Sequence, residues 1–230
     1  MGSKYKLTYA VDLVFCIDAT ESMDHIIGTV KENALNFYDD LMAAMAKKNL
    51  NVSSVRVKVI AFRDYLYLAD GSQAMMMSDF FKLPTQAADF RDCVKSIEAK
   101  GGGDDPEDGF EAIAYAIKSD WNSDADRKRH VIVVLSDDDA HDIGFGKKSK
   151  YYPSGMAKDF DELTRWWGSR PHPGLMDENA KRLLLFAPGM KNWTRLRNTW
   201  NNVIHFESEA GDGLENCDYD SILNTITNSI

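Results

Sequence analysis

Three short stretches of this chain place oxygen donors at spacings that suit a hard cation. Asp18-Ala19-Thr20-Glu21-Ser22 alternates a carboxylate with two hydroxyls. Asp104, Asp105 and Glu107 crowd around Pro106, directly after Gly101-Gly102-Gly103. Ser136-Asp137-Asp138-Asp139 ends an apolar run. Carboxylates forced together raise one another's pKa or push their loops apart. A divalent cation between them reverses the sign of that interaction. No histidine or cysteine cluster accompanies these residues. An all-oxygen donor set therefore selects Mg²⁺, with Mn²⁺ or Ca²⁺ as alternatives, over zinc. Carboxylates mixed with hydroxyls suit a six-coordinate Mg²⁺ that keeps water or an open position.

The elements around these stretches decide whether they can meet. Leu13 to Ile17 is a continuous apolar run that ends at Asp18, as expected of a strand buried on both faces. Val131 to Leu135 is a second such run, ending at Ser136-Asp137, and Leu183 to Phe186 is a third. Val55, Val57, Val59 and Ala61 alternate as a strand, Leu66-Tyr67-Leu68 reads as a short edge strand, and Val203 to Phe206 as another strand. Between them, Ile26, Val30, Ala34, Phe37, Leu41 and Met45 recur at helical spacing. So do Phe90, Val94 and Ile97, with the glycine triplet as the stop. Pro106 is expected to open a further helix over Phe110, Ile113 and Ile117. Helices are also expected at 157–167, 193–200 and 219–230. Strands alternate with helices from end to end. That predicts a doubly wound, mostly parallel α/β sheet with helices on both faces and one short antiparallel edge strand. In such a sheet, ligands bind beyond the carboxyl ends of the strands, where all three donor stretches fall.

No linker or repeat interrupts the alternation. Residues 1–9 are expected to be a tail, with Met1-Gly2-Ser3 in the manner of a cloning remnant, and residues 10–230 one domain. A formal charge of −9 argues against nucleic acid as the main partner, because phosphate binding needs a basic surface. No apolar run is long enough to span a membrane, and no signal peptide is legible at the start. Cys16, Cys93 and Cys217 are odd in number and widely spaced, which forms neither a disulfide framework nor a zinc knuckle. A cytoplasmic, reducing setting is expected.

The motifs resemble a known family. Asp18-x-Thr20-x-Ser22, between an apolar strand and an amphipathic helix, looks like the Asp-x-Ser-x-Ser motif of von Willebrand factor A domains. That motif opens their metal-ion-dependent adhesion site. Ser136-Asp137 resembles the strand-end Thr-Asp of the same family. The middle loop, Gly102-Gly103-Asp104-Asp105-Pro106-Glu107, departs from the family's threonine form. It is similar to the integrin β-subunit version and to an intracellular branch with Gly-Gly-Asp-x-Pro-Glu. The resemblance spans roughly residues 10 to 229. It implies a Rossmann-like fold and a metal site built from Asp18, Thr20, Ser22, Asp137 and one or more of Asp104, Asp105 and Glu107. It also implies a non-enzymatic binding module whose cation accepts an accessible Asp or Glu of a partner protein. Two departures matter: Thr20 replaces a serine, and Glu21 adds a negative charge where many relatives have glycine.

Blander readings stand beside these. Asp18 and Ser22 are good helix caps, and the glycine triplet with Pro106 is a helix stop and start. Asp138 and Asp139 are expected in an outer shell or in solvent, and His141 in a polar loop is expected to be solvated. Lys147, Lys148 and Lys150 lie in the long loop from Asp138 to Met156 and are candidate contacts for an acidic partner. Trp166, Trp167, Trp193 and Trp200 read as packing residues. The rival from another class is a Mg²⁺-dependent hydrolase of the haloacid dehalogenase type. It needs a second carboxylate two residues after the first, where this chain has Thr20. No phosphate-cradling loop or serine elbow is present. A structural domain whose site holds no metal is the third reading.

Overall fold

The computed structural model describes residues 8–34, 36–101, 106–125, 127–208 and 218–230. One sheet runs through it. Strand β1 (Thr8–Asp18) lies at its centre, parallel to β2 (Asn51–Phe62) on one side and to β5 (Lys128–Leu135) on the other. Beyond β5 follow β6 (Lys181–Pro188) and β7 (Val203–Ser208), also parallel. The far edge is antiparallel. Both β3 (Met75–Met77) and β4 (Phe81–Leu83) pair with β2. The mostly parallel class is as expected, but the antiparallel edge is not at Leu66–Leu68. There the side chain of Asp64 accepts the N–H groups of Leu66 and Tyr67, and the chain turns instead of extending.

Helices cover both faces. Helices α1 (Asp24–Asn33), α2 (Phe37–Lys47), α3 (Ala87–Lys95) and α7 (Tyr219–Ser229) share one core with Leu13, Phe15 and Ile17 of β1. Helices α4 (Gly109–Ile117), α5 (Phe160–Trp167) and α6 (Lys191–Thr199) share the other with Val14 and Cys16. The alternation of the strand thus feeds two cores, which is why its sequence is apolar without interruption.

Two helices depart from expectation. The long stripe from Ile26 to Met45 is split. Ala34 N–H still reaches Val30 O at 2.9 Å, but Asn36 N–H bonds Asn33 O at 3.1 Å, only three residues back, and the α-helical ladder resets there. Pro106 does not open α4, which begins at Gly109. Glu107 instead forms a parallel bridge with Ala140: its N–H reaches Asp139 O at 3.2 Å, and His141 N–H reaches its carbonyl at 2.8 Å. Among the described residues, no helix is long and apolar enough to cross a membrane.

Candidate functional site

The sheet order 3-2-1-5-6-7 makes β1 the strand from which the chain departs in both directions. The crevice beyond its carboxyl end is the topological switch point of such a sheet. Asp18, the last residue of β1, pairs in register with Phe62 of β2, and Ile17 beside it pairs with Leu135 of β5. Loops leaving β1, β2 and β5 therefore start side by side.

Asp18 is fully buried. Its Oδ1 accepts from Thr20 N at 3.0 Å and Thr20 Oγ1 at 2.6 Å, and its Oδ2 accepts from Ser136 Oγ at 2.9 Å. The Thr20 and Ser22 hydroxyls lie 3.4 Å apart, and Ser22 Oγ donates to Asp137 Oδ1 at 3.1 Å. A chain of hydroxyls thus joins two carboxylates from separate strands. The second oxygen of Asp137 is buried and has no hydrogen-bond partner. Burial pushes the Asp18 carboxyl up to about 6. The Thr20 and Ser136 hydrogen bonds restrain that rise and the nearby Asp137 adds to it. Thr20, at the position where a dehalogenase-type hydrolase carries its second carboxylate, is a donor to Asp18.

Arg63, buried at the end of β2, is the cation nearest in sequence to this strand end. Its guanidinium donates to main-chain carbonyls, and it acts on Asp18 through space without a hydrogen bond. Nε donates to Ala19 and Lys100, Nη1 to Gln73, and Nη2 to Glu98. It ties the middle loop to the end of β1, helped by Lys100 N–H to Ala19 O and Glu21 N–H to Gly101 O. Gly101 has φ +84°, and a Cβ there would meet Leu68 Cδ1 at 2.7 Å, so this turn requires glycine. Glu107, on the other flank of the loop, is buried beside the residues that follow β5. Both flanks of 102–105 are anchored at the rim. Asp104 and Asp105 lie outside the described residues.

The structure brings together Asp18, Thr20, Ser22 and Asp137, and adds Ser136. Among the described residues, no three acidic, histidine or cysteine side chains come together as a metal-ligand set. The described donors are two carboxylates and their hydroxyls. Lys147, Lys148 and Lys150 are exposed on the loop after β5. Asp139 is not in solvent: it is buried and accepts the N–H of Asn192, where α6 starts. His141 is not solvated either. It is buried, with Nε2 2.8 Å from Asp64 Oδ2 and its ring stacked on Phe145 at 3.7 Å.

A second acidic group behind the rim escaped the sequence reading. Asp64, Asp108 and Glu111 are all buried. Asp108 Oδ2 accepts from Tyr65 N at 2.8 Å, and Glu111 Oε1 accepts from Gly144 N at 2.8 Å and Tyr152 Oη at 2.7 Å. Burial raises the pKa of both Asp108 and Glu111, and the charge of Glu111 raises that of Asp108 further. Burial would raise Asp64 too, but hydrogen bonds from His141, Tyr67 and Leu66 outweigh it and hold the group low. The available signal was Asp64 itself, two residues past the apolar end of β2, as Asp137 is past β5.

Comparison with known proteins places this rim in a family. The von Willebrand factor type A domain profile matches residues 13–140, more than half of the 230-residue chain. Integrin beta-6 of Homo sapiens is 27% identical over 157 residues, covering 62% of this chain and 19% of that protein. The alpha-protein kinase vwkA of Dictyostelium discoideum is 24% identical over 145 residues, 63% of this chain and 21% of that protein. The chain spans about a fifth of the length of either relative. Among solved structures, the pilus adhesin SpaC of Lactobacillus rhamnosus GG is similar in fold. Its TM-score is 0.53 at 13% identity, covering 98% of this chain and 31% of that one. The matched span 13–140 contains the carboxyl half of β1, all of β2 and β5 and the start of every loop that forms the rim, and the chain belongs to the von Willebrand factor type A domain family.

Proposed function

We propose that the rim binds one divalent cation, and that this cation captures a carboxylate of a partner protein without catalysing a reaction. Asp18, Thr20, Ser22 and Asp137 are its donors, joined by at least one of Asp104, Asp105 and Glu107. Mg²⁺ fits a mixed carboxylate–hydroxyl set best, with Mn²⁺ or Ca²⁺ as alternatives. The observation that carries the reading is Asp18. It is fully buried, its oxygens receive only neutral N–H and O–H groups, and no ion pair reaches it among the described residues. Asp137 beside it keeps one buried oxygen without a donor. Two such acids repel, and a cation between them makes the arrangement favourable. When bound, the ion supplies a positive charge whose remaining coordination position an Asp or Glu side chain can complete. Family membership supports a protein-binding role. The exposed Lys147, Lys148 and Lys150 would steer an acidic partner towards the rim. The free thiols of Cys16 and Cys93 fit a reducing, cytoplasmic setting.

Calorimetry with Mg²⁺ is expected to show one site in the wild type and none in Asp18→Ala, with circular dichroism confirming that the variant is folded. Absence of any heat in the wild type would overturn the cation. Partner capture from native extract is expected to be lost in EDTA and in Asp137→Ala. Changing the three lysines to glutamate should weaken it mainly at low salt. A partner retained at full affinity in EDTA would place the interface elsewhere.

A further inference from the structure

Large apolar side chains are exposed at few places on the described surface, and three of them, Tyr67, Phe145 and Tyr151, lie on the two loops that leave β2 and β5. These loops flank the candidate cation site. They are fastened to each other from below. Tyr65 and Tyr152 pack edge to face at 5.3 Å, Tyr65 N–H is held by Asp108, and Tyr152 Oη by Glu111. A Cβ on Gly71 would meet the Tyr151 ring at 2.9 Å, so the loops touch closely there too. One aromatic pair thus serves to join the loops. A second pair, Tyr67 and Phe145, stacks at 6.4 Å with an interplanar angle of 20° and stays 51% and 40% exposed.

The exposed pair is rigidly placed. Phe145 lies on the His141 ring, His141 contacts Asp64, and Asp64 also accepts the N–H of Tyr67. The main chain of His141 is bonded to Glu107, on the candidate metal loop. Tyr67 and Phe145 therefore form a pre-oriented aromatic ledge on the loops that flank the proposed cation site, linked to it through His141 and Glu107. Pre-orientation lowers the ordering cost of binding, and rigid aromatics are the side chains that most often dominate interfaces. Lys147, Lys148 and Lys150 are exposed on the same loop as Phe145, in a chain of formal charge −9; of the exposed acids on these two loops, Asp142 is paired with Arg195 and Asp70 lies near Lys150.

We propose that the ligand of this rim is a two-point acidic segment of a partner protein. Its carboxylate meets the cation, and an aromatic or large aliphatic side chain a few residues away packs on the Tyr67–Phe145 ledge. The first point rests on the cation reading above. The ledge determines which acidic segments bind, and further acidic residues of the segment face the three lysines.

A random-peptide library displayed on phage, selected on the whole chain in Mg²⁺ and eluted first with EDTA and then with acid, tests both points. Selected peptides, synthesised with a fluorophore, are then measured by polarisation. The expected result is a shared Asp or Glu followed or preceded by an aromatic or large aliphatic residue. Binding is expected to weaken on the order of tenfold in Tyr67→Ser/Phe145→Ser, and to recover in Tyr67→Phe with Phe145 intact. The double variant must keep the wild-type Mg²⁺-induced thermal shift, which separates loss of the ledge from loss of the fold or the ion. EDTA-sensitive peptides that bind the double variant as well as the wild type would overturn the ledge and leave the cation reading standing. Ledge-dependent peptides that lack an acid and ignore EDTA would overturn the cation reading, and the two-point ligand with it. Failure to enrich any EDTA-eluted peptide would overturn both.

Discussion

Strand β1 carries two fully buried aspartates, one near its start and one at its end, and they are treated in opposite ways. Asp12 is closed off. Arg56 donates to both its oxygens, at 2.8 and 2.6 Å, and Asn122 N–H adds a third bond at 2.7 Å. The guanidinium is further held over the Phe80 ring at 4.5 Å. Asp18 receives only hydroxyl and amide donors, while its neighbour Asp137 is another acid. One carboxylate has a guanidinium bonded to it, and the other feels a cation, Arg63, only through space. A buried acid with its own arginine is a structural joint at the amino end of the sheet. A buried acid without one, at the carboxyl end, is a place for a charge from outside.

The largest effect is expected from breaking the closed joint. Asp12→Ala leaves the Arg56 guanidinium and the Asn122 N–H without their acceptor. Removing one partner of a buried pair costs about 3–5 kcal/mol, and the partial exposure of Arg56 favours the lower end. Urea denaturation should show this loss equally in Mg²⁺ and in EDTA. A loss confined to one of the two conditions would mean the two ends of the strand are not independent.

At Asp18 the sign is reversed. Its folded pKa, about 6, lies above the ordinary carboxylate value, so the folded chain holds this proton more tightly than the unfolded chain. In EDTA, this group's contribution to stability is therefore present below the unfolded pKa, near 4, and falls as pH rises towards about 6. Asp18→Asn removes that dependence. The stability of the wild type relative to Asp18→Asn should drop across this window, by no more than about 3 kcal/mol in total. A flat difference would show that Asp18 is compensated in a way the hydrogen bonds do not reveal. With Mg²⁺ at a hundred times its dissociation constant, the wild type should gain about 2.7 kcal/mol and Asp18→Asn nothing.

The closed and open ends were not equally legible in the sequence. Asp18, Thr20, Ser22 and Asp137 stood out because each follows an apolar strand directly, and strand ends are readable from pattern alone. Asp12 sits inside the strand, and nothing local announces that Arg56, on the neighbouring strand, will meet it. The same limit hid the Asp64–His141 contact, whose partners come from two different loops. Misread elements had local causes that pattern does not weigh: the Asp64 carboxylate that turns the chain at Leu66, and the three-residue bond from Asn36 to Asn33 that resets the helical stripe. At Glu107, a tertiary bridge to Ala140 overrode the ordinary role of a proline at a helix start.

Glu111 falls between the two extremes and gives the finest test of the contrast. Like Asp12, it has specific donors, since Oε1 takes the N–H of Gly144 and the hydroxyl of Tyr152. Like Asp18, it has no cation bonded to it, its other oxygen is buried without a hydrogen-bond partner, and the like charge of Asp64 acts on it. Its folded pKa is raised by burial, so its contribution to stability is present below the unfolded pKa and is lost as pH climbs from there to the raised value. Glu111→Gln keeps an acceptor for Gly144 and Tyr152 and places an uncharged amide at the partnerless oxygen. At about pH 8 the variant should be more stable than the wild type by roughly 1 kcal/mol, which is less than one unit of pKa. Below the ordinary glutamate pKa, near 4, the two should converge, because the wild-type group is then neutral in the folded and the unfolded chain alike. The Mg²⁺-induced shift should persist in the variant, since Glu111 is not among the proposed donors. If Glu111→Gln is instead the less stable protein at both pH values, its hydrogen bonds outweigh its charge. Glu111 would then belong with Asp12 as a structural joint, and the missing counter-charge would be peculiar to Asp18 and Asp137.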